Sequence, residues 1–283
     1  MWYLKKVPKI LHFYWGMNKK MSFLRYISIL SFSKINPDWE VILHIPEFPS
    51  KISPTWKSIE QKGLESKIDY FEKIINSGIH IKKHNFQTYG ISNEIHEVFK
   101  NDFLRWIILN EYGGVWSDTD IIYTNSINNL RINKKSNSDG DTFLCKYSTG
   151  SHAIGFLMSS FNNNFFGNIF SISLEVINIT EYQSIGSRLL NILESYYPNI
   201  NSQFPFLKFI NIDNKSVYSI DCNYGNIAKF YIPLFEYEEP EGLIGYHWYG
   251  GDPITQIYES NITEENYGKY DNLMKILIDR TLK

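Results

Sequence analysis

In KILHFYWGMNKKMSFLRYISILSFSKINPDWEVILHIP, Lys9 to Pro46, extended and helical patterns alternate in a way that leaves few architectures open. KILHFYW (Lys9–Trp15) is a short, aromatic-rich apolar run halted by Gly16, the pattern of a buried strand and the loop after it. Apolar residues then recur at helical intervals from Met21 to Phe32 and stop before Asn36-Pro37, where proline bars further helix. WEVILHIP (Trp39–Pro46) returns to strand and ends on its own proline. Strand, helix, strand begins an α/β sheet. An amphipathic helix over Trp56–Ile68 and a third strand over Gly78–Lys83 extend it to two successive βαβ units, hence a parallel, doubly wound sheet.

Further along, Ser92 or Asn93 is the expected N-cap of a long helix, with Glu94 and Glu97 in its first turn and Gly113-Gly114 as its stop after about Tyr112. VWSDTDIIY (Val115–Tyr123) follows as a single strand. Arg131–Asp141 is almost free of apolar residues and reads as a surface loop. Strands are expected at Thr142–Tyr147 and Ala153–Ser159, helices at Phe166–Ile177 and Ser184–Tyr196, a strand-rich region over Leu207–His247 and a closing helix over Glu264–Leu282. Glu236–Gly242 reads as a solvated loop. No internal repeat or linker divides the 283 residues, which are enough for a well-buried core.

A formal net charge of -2 leaves no global field to gather nucleic acid or an anionic membrane, so any polyanion must be small and met locally. No apolar run approaches the ~20 residues that span a bilayer, so no transmembrane segment is expected. Pro8 and Lys9 interrupt what would have to be the apolar part of an export signal, and a cytoplasmic location is the expectation. Cys145 and Cys222 lack a C-x-x-C spacing and read as two buried thiols. His80 and His84 mimic a metal pair but lack a third ligand. Aromatic residues make 16% of the chain, enough both to pack a bulky core and to offer flat faces to planar ligands and sugars.

The chemistry concentrates in NDFLRWIILNEYGGVWSDTDIIY, Asn101 to Tyr123. Asp102 and Arg105 stand three apart on one face of an otherwise apolar helix, where burying two charges requires a reason. Asp118 and Asp120, two apart on a strand, project from the same face. Carboxylates so close repel one another unless a cation neutralises them, and oxygen ligands suit Mn²⁺ or Mg²⁺. The end of a strand in an α/β sheet is also where ligands bind. The second D-x-D, Asp139-Gly140-Asp141, lies in the polar loop and reads as a plain turn.

D-x-x-R, an apolar stretch, then Gly-Gly-aromatic-x-D-x-D resembles the sugar-binding region of the glycosyltransferase family of outer-chain mannosyltransferases, lactosylceramide α-galactosyltransferases and capsular-polysaccharide enzymes. It is also similar, more distantly, to the glucosyltransferase domains of large clostridial toxins. VPKILHFYWG, NPDWEVILH and the later YHW (Tyr246–Trp248) extend the likeness. The resemblance implies a GT-A-like single domain over 1–283, a Rossmann-like, mixed and mostly parallel sheet flanked by helices. Its nucleotide-binding part would cover about 1–125 and its acceptor side about 126–283.

It further implies metal-dependent transfer, with retention, of a hexosyl or N-acetylhexosaminyl group from a UDP- or GDP-sugar to a glycan or other glycoconjugate, as in polysaccharide biosynthesis. Trp15 would stack on the nucleobase and Tyr14 would offer it main-chain hydrogen bonds. Asp102 and Arg105 would hold sugar hydroxyls, Arg105 also touching the diphosphate, with Trp116 beside them, and Asp118 the ribose or a metal-bound water. Asp120 would ligate Mn²⁺ or Mg²⁺ directly, with His247 a further metal or phosphate contact and Trp248 closing over the diphosphate. Asp120, Asp118 and Arg105 are thus the expected catalytic set. Ser187 stands where the family has proline after Gly186, and Trp116 where Tyr or Phe is usual. Arg188 reads equally as a solvated side chain or an acceptor contact. Two other classes fit the bare residues: a phosphohydrolase sharing two ions between Asp118 and Asp120, and a nucleotide-sugar-binding protein without turnover.

Overall fold

The computed structural model describes residues 3–56, 64–133, 141–196, 209–222, 224–233 and 238–283. Strand β1 (Ile10–Tyr14) pairs in parallel with β2 (Glu40–Pro46), and β2 in parallel with β3 (His80–His84). Helix α1 (Phe23–Ile35) makes the first crossover; Ser22 caps it by accepting the Arg25 N–H at 3.2 Å, and it ends at Asn36, before Pro37. The short α2 (Phe71–Asn76) precedes β3. Trp56–Ile68, expected as a helix, falls largely outside the described residues, and its described end, 64–68, is not helical.

Helix α3 (Glu97–Glu111) starts later than expected, because His96 rather than Ser92 or Asn93 is its cap, Nδ1 accepting the Val98 N–H at 3.1 Å. It stops at Gly113 and Gly114, whose φ angles of 65° and 87° exclude most side chains. A Cβ on Gly114 would lie 2.5 Å from the Ile10 carbonyl oxygen, so glycine here lets β4 (Gly114–Ser117) close against β1.

The seven-stranded sheet runs β3-β2-β1-β4-β7-β6-β8, with β6 (Thr142–Lys146), β7 (His152–Ser159) and β8 (Ile210–Ile212). Only the pairings made by β7 are antiparallel, so the sheet is mixed and mostly parallel, as expected of a GT-A-like α/β fold. Val115–Tyr123 is not one strand. The chain leaves the sheet after Ser117, turns through Asp118–Asp120, and forms β5 (Ile121–Tyr123), which pairs antiparallel with β9 (Gly245–His247) in a separate two-stranded sheet. The two aspartates therefore converge through a turn rather than through strand alternation.

Helices α1 and α8 (Leu273–Leu282) cover one face over a core that includes Phe13, Leu24, Ile27 and Leu43. On the other, α3 and α4 (Asn164–Val176) bury Trp106, Ile108, Leu157 and Phe166. Helix α5 (Ser187–Tyr196) follows Gly186. The region 207–247 holds short helical turns and α6 (Tyr224–Ile227), with β8 and β9 as its only strands among the described residues. The closing helix is confined to α8, after α7 (Pro253–Asn261). Cys145 is buried as expected, whereas Cys222 is exposed.

Three histidines cross the sheet in a row. His12 Nδ1 lies 3.0 Å from His44 Nε2, His44 Nδ1 2.7 Å from His84 Nε2, and His84 Nδ1 3.0 Å from the Tyr89 hydroxyl. His12 Nε2 meets the Gly113 carbonyl at 3.1 Å, which can only accept, so each Nε2–H donates along the row and every ring is neutral. Burial holds His12 down to about 3 and His84 to about 4, with His44 also well below the ordinary imidazole range. His84 thus serves this row and His80 is exposed, so the apparent metal pair is none.

Unfolded, these rings take up protons near pH 6.5; folded, they do so only at much lower pH. Stability is therefore full above about pH 6.5 and falls as pH drops towards about 3–4, by about 1.4 kcal/mol per pH unit for each ring kept neutral. Urea midpoints measured from pH 7.5 to 4.5 should decline, and His44→Gln should lessen the slope. Equal slopes in both proteins would remove the row as the cause.

Candidate active site

The turn after β4 carries Asp118, Thr119 and Asp120 beyond the carboxyl ends of β1 and β4, and α3 brings Asp102 and Arg105 to the same place. Arg105 is 1% exposed. Its Nη2 stands 3.0 Å from Asp102 Oδ1 and 3.4 Å from Asp118 Oδ1, while Nη1 donates to the Ile154 carbonyl at 2.5 Å. One guanidinium thus ties helix, turn and β7 together. Arg105 Nε and Asp102 Oδ2 are sealed from solvent with no hydrogen-bond partner among the described residues. Burial pushes the Asp102 carboxyl up to about 7, against the pull of Arg105. A Cβ on Gly186 would lie 2.8 Å from Asp102 Oδ2, so glycine leaves that oxygen its space.

Asp120 Oδ2 accepts the Gly250 N–H at 2.8 Å and lies 3.9 Å from Arg25 Nη1. Its Oδ1 is 3.2 Å from His247 Nε2 but has no aligned hydrogen bond, and His247 Nδ1 also lacks a partner. Burial alone would raise this carboxyl; His247, Arg25 and the Gly250 N–H outweigh it and hold the group below the usual carboxylate range. Ligand atoms of Asp118, Asp120 and His247 all lie within 4.8 Å of one another, the one such group among the described residues. Unpartnered carboxylate and imidazole atoms at that spacing fit a hard divalent cation.

A cavity of about 150 Å³ opens onto these groups. Tyr14, Trp15, Asp102, Arg105, Asp118 and Asp120 line it, and His247 reaches the carboxylates from β9. Trp116 and Trp248 do not line it. Both are 0% exposed. Trp116 faces α3, its ring 5.4 Å from the Arg105 guanidinium, and donates to Asp118 Oδ1 at 3.2 Å. Trp248 turns into the α1 side of the core and donates to Ser28 Oγ at 3.0 Å, under Arg25. Each supports a charged residue of the wall instead of touching the cavity. Arg188 pairs with Glu181 at 2.9 Å on the surface.

Sequence reasoning passed over Lys19, Arg25, Glu97 and Gln183, which also line the cavity. Arg25 did leave a signal, as the only charged residue between Lys20 and Lys34. Glu97 accepts the Tyr14 hydroxyl, the Ser50 N–H and Lys100 Nζ, which anchors the end of β1 to the first turn of α3. Gln183 holds φ at 58°, a backbone state that nothing in its residue type announces.

Residues 22–137 match the family described as the glycosyltransferase sugar-binding region containing DXD motif. On that match the chain is a glycosyltransferase. No protein of curated function matches it in sequence. Among solved structures it is similar to PaToxG glycosyltransferase, at 18% identity over 70% of this chain and 72% of that one, with a TM-score of 0.49. The apo form of glycosyltransferase GlyE of Streptococcus pneumoniae TIGR4 shares 13% identity over 98% of this chain, with a TM-score of 0.49; this chain spans 60% of it. The UDP-bound glycosyltransferase domain of the YGT toxin shares 12% identity over 69% of this chain and 68% of that one, with a TM-score of 0.36. No helix among the described residues is long and apolar enough to cross a membrane.

Proposed function

We propose, from the match of residues 22–137 to the DXD sugar-binding region, that the chain transfers a sugar from a nucleoside-diphosphate sugar to a carbohydrate or glycoconjugate acceptor. The observation that carries this is the meeting of the Asp102–Arg105 pair with the Asp118–Asp120–His247 group at one cavity. Asp118, Asp120 and His247 would hold Mn²⁺ or Mg²⁺. Such an ion supplies Lewis-acid stabilisation of the charge that grows on the departing diphosphate.

The chain's own groups do the rest. Trp15 offers a flat face to the base and Tyr14, held by Glu97, sets the main chain beside it. Asp102 and Arg105 line the cavity together, and sugar hydroxyls would meet the polar edge that this pair presents there. The bond from the anomeric carbon to the phosphate oxygen breaks while the acceptor oxygen bonds to that carbon on the same face. The acceptor proton passes to the departing phosphate oxygen, so the anomeric configuration is retained without a protein nucleophile.

Nucleotide binding tests this reading directly. Titration with UDP or GDP in Mn²⁺ should quench tryptophan fluorescence for the proper base. Trp15→Ala should weaken that nucleotide about tenfold to a hundredfold, since stacking on a base contributes about 1–3 kcal/mol. Unchanged affinity in the variant would remove Trp15 from the base site.

A further inference from the structure

Arg25 is 6% exposed, lines the cavity, and comes from α1, the helix opposite to the one that carries Arg105 across the sheet. Its Nε donates to Glu259 Oε1 at 2.9 Å and its Nη1 to Thr119 Oγ1 at 3.0 Å, with Asp120 Oδ2 3.9 Å away. Glu259, on α7, also takes the hydroxyl of Ser22, the cap of α1, at 2.6 Å. Two edges of the guanidinium are thus clamped. The third is not: Nη2 makes no hydrogen bond to a described residue, and unlike Arg105 Nε it is not sealed from solvent.

The surroundings are shaped for this guanidinium. It lies 4.6 Å from the Trp248 ring centroid, and a Cβ on Gly250 would come within 1.9 Å of Nη2, so only glycine leaves it room. Gly250 follows Tyr249, whose φ of 53° is strained for a tyrosine, and its own N–H binds Asp120. A clamp that needed only a salt bridge to Glu259 would not require a permanent cation with a spare donor edge at the cavity wall. Arginine's planar fork is suited to phosphate oxygens.

We infer that Arg25 binds the diphosphate of the donor and of the departing nucleotide, so that Arg25 from α1 and Arg105 from α3 flank the Asp118–Asp120 turn as two fixed cations. The inference rests on the proposed nucleotide-sugar reading. It assigns Arg25 a role specific to phosphate, separate from that of Trp15 on the base.

Calorimetric titration in Mn²⁺ with UDP and GDP, and with uridine and guanosine, separates the two. In the native protein the diphosphate should bind more tightly than its nucleoside. Arg25→Met should lower the diphosphate affinity at least tenfold while the nucleoside affinity stays within twofold, and Arg25→Lys should recover part of the loss. The double variant Arg25→Met with Glu259→Gln leaves no unpaired buried carboxylate and gives the same readout should the single variant not fold. Equal weakening of nucleoside and diphosphate, or no change in either, would overturn the role of Arg25 alone. Absence of any nucleotide binding to the native protein would instead overturn the proposed function, and this inference with it.

Discussion

Asp120→Ala should lower sugar transfer by about a thousandfold or more, because on the proposed reading it removes a cation ligand and with it about 4 kcal/mol of transition-state stabilisation. The carboxylate sits at the centre of the site, with Gly250 N–H on one oxygen and the other turned, unbonded, towards His247. In the proposed reaction the charge to be stabilised is that on a departing diphosphate, and in a buried site a fixed cation does so far better than water. The fold should survive, since Arg25 keeps Glu259 and Thr119 as partners. Circular dichroism with kcat and the Mn²⁺ dependence of transfer checks both halves. Full activity in Asp120→Ala would contradict the metal site, and a lost fold would show that Asp120 is structural.

Arg105→Met should cost stability as well as activity. It leaves Asp102 beside a sealed wall with neither its ion pair nor a solvent path, and breaking a buried pair in this way costs about 3–5 kcal/mol. Asp102, already pushed up to about 7 with Arg105 present, would then take up a proton more readily still, which limits the loss. Arg105→Lys should not restore transfer, because an ammonium cannot reach Asp102, Asp118 and the Ile154 carbonyl with one rigid fork. Adding Asp102→Asn to Arg105→Met should return part of the stability but none of the activity. Urea unfolding and transfer assays on the three variants separate the effects. A double variant as unstable as Arg105→Met would mean that the unpaired carboxylate is not the source of the cost.

Much of this was legible in the residues themselves. The β1–α1–β2 unit followed from its apolar spacing and its prolines, and Gly113-Gly114 marked the end of α3. Asp102, Arg105, Asp118 and Asp120 were found because charges in apolar surroundings are costly and local in sequence. What escaped was non-local. The break between β4 and β5 depends on β9, more than a hundred residues away, which takes Ile121–Tyr123 into a second sheet. Arg25 and Glu259 meet only when α1 and α7 pack. Trp116 and Trp248 carried the ring chemistry of a binding site, but the side of the chain on which each lies sends it into the core.

The most direct measurement is release of nucleoside diphosphate from UDP-, GDP- and dTDP-sugars with Mn²⁺, with and without a chelator, in the native protein and in Asp120→Ala. The expected result is release from one donor that stops on chelation and is absent from the variant. Release that persists unchanged in both would contradict sugar transfer through the Asp118–Asp120–His247 site.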